Sequence, residues 1–261
     1  MSFTATRHTY FSRRLSLLIC SAAILLASQP ADAELLNTVQ LNFQNGSDSG
    51  SFQIAVPEFT DQFQWDLPAP VQVYANDGTG ALLGTIKELS VTLDGDPGIT
   101  LGFHVDAIHI STHVTISSAV LSFAPQGNFS NLFASAAMTV TDNDGDGATA
   151  TGLFPGGTAY QAQYNGGPIF ANLILPVTAP SDGSSTGSGR QPIVGNDLLF
   201  PVSSIHSQFD FMLSPNDSAS GTSRFNVAPL FVPEPSTLIL AVFGFVGLVA
   251  RRWRRKRCPK T

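Results

Sequence analysis

The sequence predicts an all-β protein, an antiparallel β-sandwich of jelly-roll or immunoglobulin-like kind, flanked by an N-terminal signal peptide and a C-terminal single transmembrane helix. Three observations carry that prediction. Apolar residues recur at every second position through the middle of the chain, turn signals separate these runs, and no window between the two ends sustains a helical period over three turns. Between the ends lie about 200 residues, enough for one good core and one domain.

The elements follow in order. Arg7, Arg13 and Arg14 precede an apolar stretch from Leu15 to Ala27. Ala31-Asp32-Ala33 then places small residues at the two positions a signal peptidase reads, Ala31 and Ala33. Cleavage before Glu34 is expected, making residues 1–33 a signal peptide and the chain an exported one. Cys20 follows Ile19 inside the apolar stretch, where a lipidation site wants a small residue.

The segment 34–231 is expected to form the exported domain. Short strands are expected at Val39-Leu41-Phe43, Phe52-Ile54-Val56 and Val71-Val73, then longer ones at Leu89-Val91-Leu93 and Ile99-Leu101-Phe103-Val105. From Ile108 to Val120 the even positions are mostly β-branched and apolar while the odd ones begin His109, Ser111, His113, which predicts one strand with one wet face. Turn signals stand between the runs at Asn45-Gly46, Asn76-Asp77-Gly78, Asp94-Gly95-Asp96-Pro97-Gly98 and Asn165-Gly166-Gly167. Ser, Gly, Thr and Pro dominate from Ala179 to Pro192, which predicts a mobile loop within the domain. Two strands are expected after it, near Leu198 to Val202 and at Ile205 to Leu213.

Residues 232–261 differ from all of this. Pro233-Glu234-Pro235 leads into an uncharged run from Leu238 to Ala250, which ends in the cations Arg251, Arg252, Arg254, Arg255, Lys256 and Arg257. A helix of Ser236 to Ala250 rises about 22 Å against a hydrocarbon core of about 30 Å, a span short enough to suit a thin or transient crossing. Basic residues stay on the cytoplasmic side, so everything before Val232 is expected outside the membrane.

These residues resemble the PEP-CTERM sorting signal: a Pro-Glu-Pro triplet, a short transmembrane helix and an Arg-rich end at the C-terminus. The resemblance covers about a tenth of the chain, and Cys258-Pro259-Lys260-Thr261 extends past the usual basic end. It implies recognition by an exosortase, a membrane cysteine protease. It also implies anchoring in the inner membrane before processing, then release or transfer to the surface or matrix of a Gram-negative cell, often in a setting of exopolysaccharide production. The same segment is catalogued elsewhere as an ice-binding protein C-terminal domain, a label that does not itself imply ice binding.

Charge bounds the partners. The segment from Glu34 to Val232 holds seventeen acids against three bases, Lys87, Arg190 and Arg224, for a net charge of −14. Nucleic acid is an improbable partner for such a surface, because phosphate binding needs clustered Lys and Arg. Both cysteines, Cys20 and Cys258, fall outside the segment, so it has neither disulfides nor thiolate chemistry.

Several motifs carry chemistry. Thr141-Asp142-Asn143-Asp144-Gly145-Asp146-Gly147 fits D-x-D-x-D-G, the first half of an EF-hand-type loop, where carboxylates at every second position converge on Ca²⁺ around a Gly turn. The place of the bidentate Glu is taken by Leu153, so calcium would need an acid from elsewhere or water. An acidic hairpin turn between Met138–Thr141 and the run from Ala148 explains the same residues. His104, His109 and His113 have metal-like spacing, but on a strand the last two lie about 13 Å apart, which favours exposed polar residues. Gly183-Ser184-Ser185-Thr186-Gly187 satisfies G-x-S-x-G without the strand-to-helix setting of a nucleophile elbow. Glu58, Asp61 and Asp66, interleaved with Phe59, Phe63 and Trp65, supply acids and aromatics of the kind a glycosidase uses. Thr pairs at 139/141 and 149/151 have the spacing of an ice-binding face without a long ladder.

The expected function is that of an exported, non-catalytic protein, structural or adhesive, in the envelope or its polysaccharide matrix. Signal peptidase, an exosortase-type protease and the membrane are the expected partners, with polysaccharide as a further candidate. The alternatives are an enzyme acting on extracellular glycan and an ice- or crystal-surface binder.

Overall fold

A computed structural model describes residues 37–126, 130–192 and 201–229. The signal peptide with Ala31 and Ala33, the Pro233-Glu234-Pro235 triplet, the C-terminal helix with its basic end, and the strand start expected near Leu198 lie outside the described residues. Among the described residues there is no helix, hence none long and apolar enough to cross a membrane.

Strands follow one another along the chain: β1 (Thr38–Asn45), β2 (Asp48–Ala55), β3 (Gln62–Asp66), β4 (Val71–Tyr74), β5 (Leu82–Asp94), β6 (Gly98–Ala107), β7 (Thr112–Ser117) and β8 (Leu121–Gln126). The second half holds β9 (Ser130–Thr141), β10 (Ala148–Gly152), β11 (Tyr160–Tyr164), β12 (Ile169–Leu173), β13 (Val177–Ala179), β14 (Ser184–Pro192), β15 (Val202–Leu213) and β16 (Ser218–Pro229). A nine-stranded sheet runs β12-β11-β15-β7-β1-β2, with β8 and β10 also on β15 and β13 on β10. A seven-stranded sheet runs β14-β9-β16-β6-β5-β3, with β4 on β5. Neighbouring strands are antiparallel, as short connections and one-sided burial favour.

The apolar faces of the two sheets meet in one core. Phe103 of β6 stands 4.9 Å from Phe209 and 5.9 Å from Phe211 of β15, while Phe225 of β16 stacks on Phe170 of β12 at 5.5 Å. Alternation decides which side chains take part: Leu89, Val91 and Leu93 of β5 and Ile99, Leu101 and Val105 of β6 are buried, their neighbours less so. Tyr160 is buried with its hydroxyl on Ser207 at 2.9 Å, and burial pushes its pKa up to about 12.

Four expectations are corrected. The strand expected from Ile108 to Val120 covers only Thr112–Ser117. Residues 108–111 turn from one sheet to the other, and Ile110 and Val120 end up 51% and 42% exposed. The stretch from Ala179 to Pro192, expected to be a loop, contains β13's end and the whole of β14, paired to β9 over nine residues. β16, bonded to β9 on one side and β6 on the other, was not foreseen. Finally, β9 and β10 do not form a hairpin, because they lie in different sheets.

Candidate functional site

At one end of the molecule four connections pass between the sheets: residues 108–111 (β6 to β7), 142–147 (β9 to β10), 180–183 (β13 to β14) and 214–217 (β15 to β16). Each turns through the left-handed region, at His109, at Gly145 and Gly147, at Asp182 and at Asn216. Hydrogen bonds tie them together. Asp182 N donates to Asp142 Oδ2 at 2.6 Å and Asp142 N to the Gly183 carbonyl at 3.0 Å. Asn216 Nδ2 donates to Asp144 Oδ2 at 2.9 Å, and His109 N to Asn216 Oδ1 at 3.0 Å. Asn143 N donates to Asp217 Oδ1 at 3.3 Å, and the Ser214 hydroxyl also bonds Asp217.

The three acids of the motif meet here. Asp142, Asp144 and Asp146 bring carboxylate oxygens within 4.8 Å of one another, Asp142 buried and the other two exposed. Burial works against the Asp142 carboxylate, but the N–H groups of Asp182, Gly145 and Asp144 outweigh it and hold its pKa below the ordinary value. Asp146 shows the opposite: a hydrogen bond with Asp144 and that group's negative charge push its pKa up. Asp217, fully buried, is pushed up by burial and then by the charges of Asp142 and Asp144, against the bonds from Ser214 and Asn143. Such mutual repulsion among hard oxygen ligands is what a divalent cation relieves. Leu153 lies beyond β10, 45% exposed, and supplies nothing to the cluster.

The other candidates do not assemble. His104 is on β6 near Asp106 at 3.8 Å, His109 is in a sheet-to-sheet turn rather than on a strand, and His113 of β7 bonds Asp210 of β15. His113 is therefore half-buried and paired, not simply exposed. The G-x-S-x-G residues run from a turn into β14, with strand and not helix after the serine. Along β3 the aromatics Phe63 and Trp65 lie half-buried toward the core, Trp65 against Phe52 at 6.1 Å. Asp66 alternates to the exposed face and accepts from Gln64 at 3.3 Å, so strand geometry separates the acid from the rings. Thr139 and Thr141 belong to β9 and Thr149 and Thr151 to β10, in different sheets.

Two features escaped the sequence reading. Asp182, Asn216 and Asp217 join the acidic loop from 40 to 75 positions away in sequence, and a local motif carries no signal for such partners. Ser117 Oγ lies 2.8 Å from His206 Nε2, two residues along β15 from its ladder partner Gln208, a diagonal contact that only the fold brings about. Burial lowers the His206 pKa, against a bond to the Ser118 backbone.

Comparison with known proteins adds three findings. No match is found among curated proteins. Among solved structures, the structure of infectious bursal disease virus Gx strain aligns over 73% of this chain and 56% of that chain, at 10% identity and a TM-score of 0.29. The chain thus spans a little over half of that chain's length. Residues 231–256 match the model of the PEP-CTERM protein-sorting motif, covering the Pro-Glu-Pro triplet, the apolar run and most of the basic end. Residues 231–256 are therefore a PEP-CTERM protein-sorting motif, a signal that implies export, membrane anchoring before processing, and an exosortase as the processing partner.

Proposed function

We propose that the described domain is the cargo of that signal, a β-sandwich with a structural or adhesive role, displayed on the cell surface or in its extracellular matrix. The observation that supports this most is the sorting motif itself, two residues after the last strand. The domain in front of it is held together by an apolar core between two sheets, needing neither disulfide nor thiol, which suits a long-lived extracellular part. Washed cells and matrix fractions should contain the protein, and deletion of residues 232–261 should release it from them. Recovery from cytosol alone would overturn the proposal. A glycan-active enzyme is the competing reading, and hydrolysis of a polysaccharide lost on Glu58→Gln or Asp66→Asn would favour it.

A second reading concerns calcium. We propose that Asp142, Asp144 and Asp146 hold Ca²⁺, supported by their convergence and by the raised pKa of Asp146. Bound there, the ion would stiffen the end where four chain segments cross between sheets. Identical melting curves in calcium and in chelator would end this reading.

A further inference from the structure

The outer face of the seven-stranded sheet carries a shallow groove of about 580 Å³ that no motif announces. Register builds it. Arg190 of β14 and Arg224 of β16 both stand opposite Ser135 of β9, and Thr100 of β6 continues the row beyond Arg224. One step along, the row on the same face reads Ser188, Ala137, Thr222 and Gly102, so small residues and hydroxyls floor a trough beside two guanidinium groups. Two strand spacings put the arginine backbones about 10 Å apart.

Charge makes the placement informative. The segment holds seventeen acids and only three bases, yet two of those bases line one groove. Among the described residues neither arginine forms an ion pair, whereas the third base, Lys87, is bound to Asp106 at 2.6 Å. Arg224 donates from Nε to Asn226 Oδ1 at 3.2 Å, which uses one of five donors. Among the described residues no carboxylate lines the groove. In a domain with so large an excess of acid, two exposed arginines without acidic partners leave planar donors free for a carboxylate or sulfate from outside.

We propose that this groove binds an acidic polysaccharide, the guanidinium groups of Arg190 and Arg224 taking its anionic substituents and the Ser and Thr hydroxyls its sugar hydroxyls. The groove is open and reaches across the four strands β14, β9, β16 and β6, which admits a chain rather than a compact ligand. The site deepens the matrix role proposed above and rests on it for access to such a polymer.

The test uses the full chain in detergent and four probes: polygalacturonate for carboxylate, chondroitin sulfate for sulfate, dextran as the neutral polymer, and polyglutamate as a polyanion without sugar. Arginine-specific chemical modification read by peptide mass spectrometry reports each residue separately, so binding at the C-terminal cations does not confuse the result. An acidic polymer should protect Arg190 and Arg224 while dextran protects neither, and which of the two acidic polymers protects better identifies the anionic group. Arg190→Gln with Arg224→Gln should weaken the binding that protects Thr100- and Ser135-containing peptides from hydrogen exchange by about ten-fold, the scale of a lost charge-assisted hydrogen bond. Lys87→Gln should leave it unchanged. Protection equal in dextran, equal protection by polyglutamate, or the same loss from Lys87→Gln would each overturn the proposal. Surface display without groove protection defeats only this inference, whereas groove protection in a protein found only in the cytosol defeats only the matrix role.

Discussion

The crossover end and the arginine groove are built from polar residues in opposite ways. At the crossovers the polar groups answer one another: Asp142, Asp217, Asn216 and Ser214 each accept or donate within the cluster, and the excess is one of negative charge. In the groove the polar groups face outward, and the excess is of donors. Substitutions at the first should therefore be felt in stability, and at the second in binding.

The largest expected effect is from Asp217→Ala. It removes the buried carboxylate that accepts from the Asn143 N–H and the Ser214 hydroxyl, and should cost about 1–3 kcal/mol of unfolding free energy, a fall of several degrees in Tm by calorimetry. An unchanged Tm would mean that the crossover bonds do not carry the fold. Calcium comes next. At a hundredfold excess over its Kd, Ca²⁺ should add about 2.7 kcal/mol, a gain that Asp144→Asn removes, while in chelator the same substitution should not lower Tm, since it relieves the repulsion with Asp146.

The pH response follows from two shifts of opposite sense. His206 has its folded pKa lowered by burial, so its contribution is full above the unfolded value of about 6.5 and is lost as pH falls through the folded value. Denaturant midpoints should drop over that window, and His206→Gln should flatten the drop. Asp146 has its folded pKa raised, so the favourable term is present below the unfolded value and lost as pH rises through the folded one. At neutral pH in chelator, Asp146→Asn should consequently raise Tm slightly. Smallest of all, Arg190→Gln with Arg224→Gln should change stability by no more than about 0.5 kcal/mol, since both are exposed and neither holds the core. A larger loss would erase the distinction between the two regions.

Alternation made part of this fold legible before any coordinates. β1 throughout, β6 from Ile99 and β15 from Ile205 carry their buried residues at spacing two, with β-branched and aromatic side chains to mark them. β5 is only half visible, because a register shift between Ile86 and Glu88 leaves Lys87 and Glu88 both exposed and re-phases the pattern. β14 was hidden by its composition. Its glycines are there because the nine-stranded sheet comes close: a Cβ on Gly187 would sit 2.6 Å from Val177 Cγ2, and one on Gly189 3.1 Å from Leu173 Cβ. The inner face of β16 likewise thins to Gly221 where Phe103 fills the space, a Cβ there falling 2.5 Å from the ring. Small residues that exist to admit a neighbour leave no hydrophobic period to read. At the candidate metal site the acidic loop was legible as a local motif, and its partners at 182, 216 and 217 were not.

β16 is the last strand before the sorting segment, and it is flanked rather than at an edge, in register with twelve residues of β9 and nine of β6. If the mature protein is tethered through its C-terminus, tension from the attachment enters along the axis of that strand. Such a load must shear two ladders at once instead of unzipping one.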